Sequence, residues 1–422
     1  MSSQRLAIVR LLSSAVVSQA LLSAASFAVG LLLIRQADAL QYGYFILASG
    51  VIVLLVSLQN AFFGPVLAIR LTRLDRPEGG ALVGGLYAAL NLVVRWLAAA
   101  ALATVIALWF AGVLDRQTAL LSIAGIFAAI AILQREYFRI VLLAHRRPFD
   151  VLRGDVCHVV LMLAGVFVAT RTATPAAVSL LALGIAAVAS AILIGRALHR
   201  HEPWASASKA ALLREIAPVA AWSTAGAAIH WTFSQGYIYL VAGTLDVAAV
   251  AAIAATRLLL MPVNLLSSGI GSLMLPLASG WLQQHGPALL LRRLGLFAVG
   301  LGLVTLCYFA VIWLARDWIF AVVLKKQFAD RDELLLLWGL LFLVMVVRDQ
   351  LGYVVAAQGR FRALSSVTLV SACIALAASF EFMRRLGVTG ALLGMLTGEL
   401  INLAGIVVLA IRQSRSRSVA PA

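Results

Sequence analysis

Charged residues are scarce in this sequence, and acidic residues are scarcer than basic ones. Only 12% of its 422 residues are charged, with 33 Lys or Arg against 17 Asp or Glu, while 63% are hydrophobic. Soluble domains carry roughly 25% charged residues. The composition therefore excludes an ordinary soluble domain and predicts an all-α polytopic membrane protein.

Several function classes lack their signatures here. The three cysteines lie far apart in apolar runs, without disulfide or metal-ligand spacing. No Walker A, GxSxG, HExxH or dinucleotide-binding motif occurs, and the longest outer loop, about 316–332, leaves no room for an extracytoplasmic catalytic domain. We therefore expect no enzyme activity, no metal site and no cofactor, apart from a coupling ion of unknown identity.

Long apolar runs, in contrast, fill the chain, and twelve of them approach or exceed the roughly 20 residues that cross a bilayer. The polar stretch at 201–215 divides them into an N-terminal six-helix lobe, 1–200, and a C-terminal lobe, 216–422. The runs cover about 11–34, 42–69, 81–111, 118–143, 151–170, 176–195, 216–242, 247–277, 294–315, 333–357, 363–383 and 388–411.

The basic residues lie mostly in short connectors. Of the 33 Lys and Arg, nineteen fall on the side of the membrane that carries both termini and nine on the other. This bias predicts that both termini are cytoplasmic. The net charge of +16 then reflects membrane topology, and we expect the lipid bilayer, rather than nucleic acid, as the chain's surroundings.

An internal repeat relates the two lobes. At an offset of 213 residues, "REYFRIVLLAHRR", beginning at Arg135, aligns with "RDQLGYVVAAQGR", beginning at Arg348, and Glu136 aligns with Asp349. Because six helices separate the copies, we predict two parallel lobes. The neighbours Arg135–Glu136 and Arg348–Asp349 are interpreted as self-contained structural pairs. Alternatively, Glu136, Asp349 or Glu399 couples transport to an ion gradient.

The remaining intramembrane polar residues are candidates for substrate contacts, because a charge at the bilayer centre costs roughly 2.5–3.5 kcal/mol. Arg257 is the strongest candidate: it shares a predicted helix face with Asn264, although Glu399 is an alternative hidden partner. Arg139 either binds substrate or extends to the cytoplasmic headgroups. Further candidates, for which a structural role is the alternative, are Arg95, Asn91, Gln19, Gln59, Asn60 and His230.

Arginines suit bidentate contact with phosphate, whereas an antiporter of cationic drugs should display unpaired carboxylates. The excess of intramembrane arginines therefore favours an anionic, phosphate-bearing substrate.

Three segments resemble the polysaccharide transporter (O-antigen flippase, Wzx-like) family of the multidrug/oligosaccharidyl-lipid/polysaccharide (MOP) exporter superfamily. They are "SAASFAVGLLLIRQADALQYGYFILASGVIVLLVSLQNAFFGP", "QREYFRIVLLAHRRPF" and "ATRLLLMPVNLLSSGIGSLMLPLAS". The resemblance implies two six-helix lobes in a V, lined by helices 1, 2, 7 and 8. It also implies export of undecaprenyl-diphosphate-linked oligosaccharide across a bacterial inner membrane, in company with a polysaccharide polymerase or assembly machinery.

Two other functions stay open at this point. An ion-coupled multidrug-type antiporter of the same superfamily would depend on Glu399 rather than on the arginines. A membrane glycosyltransferase or polymerase would need catalytic side chains on a large outer loop, and "RDWIFAVVLKKQFADRDE" is short for that purpose.

Overall fold

The computed structural model describes residues 3–71, 73–202, 204 and 209–416, and these residues are almost entirely helical. The helices are connected by short turns. In chain order they are α1 Ser3–Gln36, α2 Ala39–Arg70, α3 Arg76–Phe110, α4 Arg116–Ala144, α5 Pro148–Ala169, α6 Pro175–His201, α7 Lys209–Thr244, α8 Val247–Leu258, α9 Met261–Leu314, α10 Arg316–Trp318, a π-helical turn Ile319–Leu324, α11 Arg331–Ala357, α12 Phe361–Leu386 and α13 Val388–Ser416.

Each of the twelve predicted spans is helical in the structure. Within the described residues, ten helices are long and apolar enough to cross a membrane, or eleven if the bent pair Val247–Leu258 and Met261–Gly271 is counted as one span. Helix α7, with 36 residues, covers the one remaining predicted span, the seventh, at 216–242. The prediction of an all-α polytopic membrane protein is confirmed.

Aspartate begins four of these helices. Asp38, Asp75, Asp115 and Asp246 each accept a hydrogen bond from a backbone amide of the first helical turn. These amides have no partner inside the helix, so a carboxylate at the N-cap stabilises the start of the helix. The short polar connectors thus fix where the apolar helices begin.

The eighth predicted span is broken. Helix α8 ends at Leu258, α9 begins at Met261, and the two segments meet at 55°. Pro262 therefore lies in the first turn of a new helix, where proline is tolerated, and not within a continuous span. The predicted helix face shared by Arg257 and Asn264 is wrong, because the break separates these residues.

Helix α9 contains a second break. Its 54 residues would extend about 81 Å, far more than a bilayer needs. Gly286 has φ 77° and ψ 176°, a conformation essentially restricted to glycine, and Pro287 follows it. This break lies in the predicted connector between the eighth and ninth spans.

The backbone contacts divide the chain into two compact units, Met1–Ala228 and Ile229–Ala422, here called unit 1 and unit 2. The division falls within α7. Of the predicted linker at 201–215, residues 203 and 205–208 lie outside the described part of the chain. In unit 1, buried side chains of α2, α3, α4 and α6 form one core that includes Leu67, Leu86, Tyr137 and Ile194.

In unit 2, α12 and α13 are in close contact because of three glycines. Gly390, Gly394 and Gly398 recur every four residues on one face of α13. A Cβ atom added at any of them would lie 2.1–2.3 Å from atoms of α12. This is the small-xxx-small spacing by which membrane helices approach one another.

Candidate functional site

A buried ion cluster in unit 1 is centred on Arg135. Its Nη1 donates to Glu136 at 2.7 Å, its Nη2 donates to Asp155, and its Nε donates to Ser190 at 3.2 Å. Asp155 is fully buried, and Ser18 of α1 donates to its second oxygen. The cluster thus connects α1, α4, α5 and α6.

Arg139, one turn further along α4, completes the cluster. Its Nε lies 3.3 Å from Asp155, its Nη1 lies 3.6 Å from Glu136, and its side chain is 15% exposed. Two arginines and two carboxylates give this cluster a formal charge of zero. Arg139 is therefore a neutralised member of an interhelical network.

The interpretation of Arg135 and Glu136 as a self-contained pair is wrong, because Asp155 of α5 is an equal partner. Asp155 is not among the residues predicted from the sequence. The sequence does contain one sign of its role, since Asp155 is a carboxylate inside the predicted span 151–170. No local spacing, however, associates it with Arg135, which lies twenty residues away on another helix.

Unit 2 contains a second cluster, centred on Arg348. Its Nη1 donates to both oxygens of Glu399, at 2.7 and 2.6 Å, and its Nη2 donates to Asp349 at 2.7 Å. The Glu399 side chain is 3% exposed and that of Asp349 is 40% exposed. Arg348 is thus not in a self-contained pair either, and Glu399 is its partner rather than that of Arg257.

The two clusters differ in charge. Gly352 aligns with Arg139 at the 213-residue offset, so the Arg348 cluster lacks an equivalent of that second arginine. Among the described residues, the ion pairs of the unit 2 cluster join one arginine to two carboxylates, a formal charge of −1. Asp349 is the more exposed of the two carboxylates.

Arg257 lies in the last turn of α8, directly before the break to α9. Its Nη1 donates to Gln235 of α7 at 3.2 Å, and its guanidinium lies 5.3 Å from the ring centre of Trp338. It has no ion pair with any carboxylate in the described ranges. Arg257 is half-buried. Its positive charge therefore lies beside an amide and an indole, with no carboxylate to neutralise it among the described residues.

The other candidates fall into two groups. Asn91 and Gln59 make interhelical contacts: Asn91 accepts from Gln134 at 2.8 Å, and Gln59 donates to the Leu133 carbonyl at 3.0 Å. The second group has exposed side chains and consists of Gln19, Asn60, Arg95, His230 and Asn264. Of these, Arg95 lies in the middle of α3 and forms no ion pair with any residue that the structure describes.

The fold is that of known membrane transporters. An inward-facing multidrug resistance MATE family transporter of the MOP superfamily aligns with a TM-score of 0.78 at 13% identity, covering 96% of each chain. The lipid II flippase MurJ in an inward closed conformation aligns at 0.74 and 10% identity, covering 95% of this chain and 87% of MurJ. The eukaryotic MATE transporter AtDTX14 aligns at 0.63 and 12% identity, covering 97% and 99%.

Sequence comparison adds no closer assignment, since no family model matches the chain and no curated protein matches it. The chain therefore has a fold that these multidrug transporters and the lipid II flippase share. Fold similarity at this identity does not specify a substrate.

Proposed function

We propose that this protein is a flippase that moves undecaprenyl-diphosphate-linked oligosaccharide from the cytoplasmic to the outer leaflet of a bacterial inner membrane. It would serve surface polysaccharide synthesis, beside a polymerase or assembly machinery, with both termini in the cytoplasm. Alternating access exposes the substrate site to each side in turn.

One observation carries this proposal: Arg257 is a half-buried guanidinium without a carboxylate partner in the described part of the chain. Retaining an unpaired charge within a membrane is costly, which marks such residues as functional candidates. A diphosphate would supply the missing negative charge through paired hydrogen bonds. Gln235, which contacts Arg257 and is half-buried, is suited to hydrogen bonding with a sugar, while the buried Trp338 packs against the guanidinium.

The energy source in this proposal is an ion gradient or the membrane potential, since no ATP-binding motif occurs in the sequence. Asp349 is the coupling carboxylate that the structure favours. Its cluster has one carboxylate in excess, and Asp349 is more exposed than Glu399. A proton or Na⁺ bound there would neutralise the excess charge.

The direct test uses purified protein in proteoliposomes that contain a fluorescent polyprenyl-diphosphate-linked oligosaccharide. Flipping makes the label accessible to a quencher that cannot cross the membrane. Replacing Arg257 by Gln should lower the flipping rate about 10- to 100-fold, because a hydrogen bond to a charged group contributes roughly 1.5–3 kcal/mol. Arg257→Lys should recover part of the rate.

The matched control is Arg153→Gln, which removes an exposed arginine at the start of α5. Its flipping rate should equal that of the unmodified protein. Equal rates for Arg257→Gln and Arg153→Gln would exclude a substrate role for Arg257. In the host, loss of the gene should cause the lipid-linked oligosaccharide to accumulate in the cytoplasmic leaflet, and normal surface polysaccharide would refute the function.

The second candidate is an ion-coupled multidrug-type antiporter, and the excess carboxylate in unit 2 favours it. In that case Asp349→Asn would abolish export of a cationic dye, while Arg257→Gln would leave export intact. The two functions therefore predict opposite results for Arg257→Gln, which slows a flippase and leaves an antiporter intact, whereas loss of the coupling carboxylate impairs both.

A further inference from the structure

A crevice of about 420 Å³ lies in the surface of unit 1, between α3, α4 and α6. Most of its wall is apolar and includes Phe127 and Ile130 of α4 and Val188 and Ile192 of α6. Its volume is within the roughly 300–1,000 Å³ of small-molecule sites. The crevice is remote in sequence from Arg257 and has no part in the proposed substrate contacts.

The polarity of the crevice changes along its length. Val188 lines the apolar part, and Arg196 and His199 line the end near the last turn of α6. Val188 precedes Arg196 by eight residues, or about 12 Å along the helix. Arg196 is exposed and forms no ion pair with any residue that the structure describes. The crevice thus presents an unneutralised cation at one end of an apolar channel.

An aromatic cluster borders the basic end. Trp204 lies with its ring centre 4.7 Å from that of His199 and 5.2 Å from that of Tyr87. Tyr87 in turn lies 5.2 Å from Phe138. Tryptophan and tyrosine favour the boundary between hydrocarbon and headgroups. The cluster therefore places Arg196 and His199 at headgroup depth, on the side predicted to be cytoplasmic.

The outer surface of α6 beside the crevice is suited to hydrocarbon. Ile185, Ile192 and Leu193 are all exposed. An occupant must therefore be compatible with lipid along most of its length and carry negative charge at one end. A free anion would fill only the basic end and leave the apolar wall without contacts.

We propose that this crevice is a binding site for an anionic glycerophospholipid of the bilayer. The phosphate contacts Arg196 and His199, and one acyl chain lies along the apolar wall between α4 and α6. Charge complementarity selects the headgroup, and the apolar wall selects a lipid over a soluble anion.

The test measures lipid binding to the purified full-length protein in detergent by native mass spectrometry. Phosphatidylglycerol and phosphatidylcholine with identical acyl chains are titrated separately. We expect phosphatidylglycerol to bind at least about tenfold more tightly, and Arg196→Gln to remove most of this preference without weakening phosphatidylcholine. Arg153→Gln, an exposed arginine outside the crevice, should keep the preference.

A second variant tests the apolar part. Gly195 lines the crevice, and an added Cβ would lie 3.4 Å from the Phe138 ring, an ordinary contact. Gly195→Leu should therefore place its side chain in the crevice and weaken both lipids. A phosphatidylglycerol with a diazirine on its acyl chain should crosslink to the peptides 127–138 and 188–199.

Three results would overturn the proposal: equal affinity of the unmodified protein for both lipids, an unchanged preference in Arg196→Gln, or crosslinks confined to other helices. Displacement of phosphatidylglycerol by millimolar inorganic phosphate would reduce the site to an anion site and also overturn it. Arg196 is exposed, so its variant decides the question even if Gly195→Leu fails to fold.

Discussion

Arg348 donates to both carboxylate oxygens of Glu399 and thereby joins α11 to α13 across 51 residues of sequence. In unit 1 the equivalent Arg135 is neutralised from α5, by Asp155. The two halves of the repeat therefore retain the arginine and its neighbouring acid, but they obtain the second carboxylate from different helices.

Glu399→Gln should destabilise the protein strongly. It removes the buried partner of Arg348 and leaves only Asp349, whose side chain is 40% exposed. Breaking a buried ion pair from one side costs roughly 3–5 kcal/mol. Equilibrium unfolding in mixed micelles measures the change, with Asp349→Asn as the control, for which we expect less than half of the loss. Equal losses would contradict a dominant role for Glu399.

Asp155→Asn should be the most destabilising single change within the unit 1 cluster. It removes a charge that Arg135 and Arg139 share. Ser18→Ala removes only a neutral donor to the same carboxylate, so we expect a loss of about 1 kcal/mol.

The double variant Asp155→Asn/Arg139→Gln tests whether Asp155→Asn destabilises the protein because it upsets the charge balance of the cluster. Removing one arginine along with the carboxylate should restore part of the stability, with a coupling of roughly 0.5–3 kcal/mol measured by the same unfolding experiment. Strict additivity of the two substitutions would show that Arg139 and Asp155 act independently.

Gly394→Ala should separate α12 from α13. The new Cβ would lie 2.1 Å from the backbone nitrogen of Ser379, so one helix must move. We expect a loss of at least about 2 kcal/mol in the free energy of unfolding, typical of overpacking. Gly352→Ala is the matched control in α11, where nothing lies within 4 Å of the added atom.

Helix propensity alone should make Gly352→Ala neutral or stabilising by up to about 1 kcal/mol. If both alanine variants lowered the unfolding free energy equally, close helix packing would not be the reason for Gly394.

Trp338→Phe tests the surroundings of Arg257. It removes the hydrogen bond from the indole to the Ile253 carbonyl, at 3.1 Å, and weakens the stacking on Arg257. We expect a modest loss of stability, about 1 kcal/mol, together with a several-fold lower transport rate in proteoliposomes. The exposed Trp318 provides the control, since Trp318→Phe should alter neither quantity.

Local features of the sequence predicted much of the fold. All twelve apolar runs of bilayer length fall on helix in the structure, because a chain in lipid must satisfy its backbone hydrogen bonds within each segment. The 213-residue offset also identified Arg135 and Arg348 as equivalent. The break before Met261 is not part of the prediction, which has 247–277 as one span, whereas Pro262 lies in the first turn of a second helix.

The ion clusters could be predicted from the sequence only in part. Arg135–Glu136 and Arg348–Asp349 are adjacent in sequence, and both pairs form. Glu399 was proposed as a partner of Arg257, yet it pairs with Arg348, because helix packing and not spacing decides which side chains meet. The site residues Arg257, Gln235 and Trp338 likewise come from three helices.

The sequence by itself determined that this protein is a helical membrane protein, since hydrophobic length and charge placement act locally on each segment. Only the tertiary structure decided which of its arginines are neutralised. Arg139 is paired through Asp155, and Arg257 has no carboxylate among the described residues. The physical reason is that ion pairing at short range depends on which helix faces pack together, and that choice is made by contacts between residues far apart in the chain.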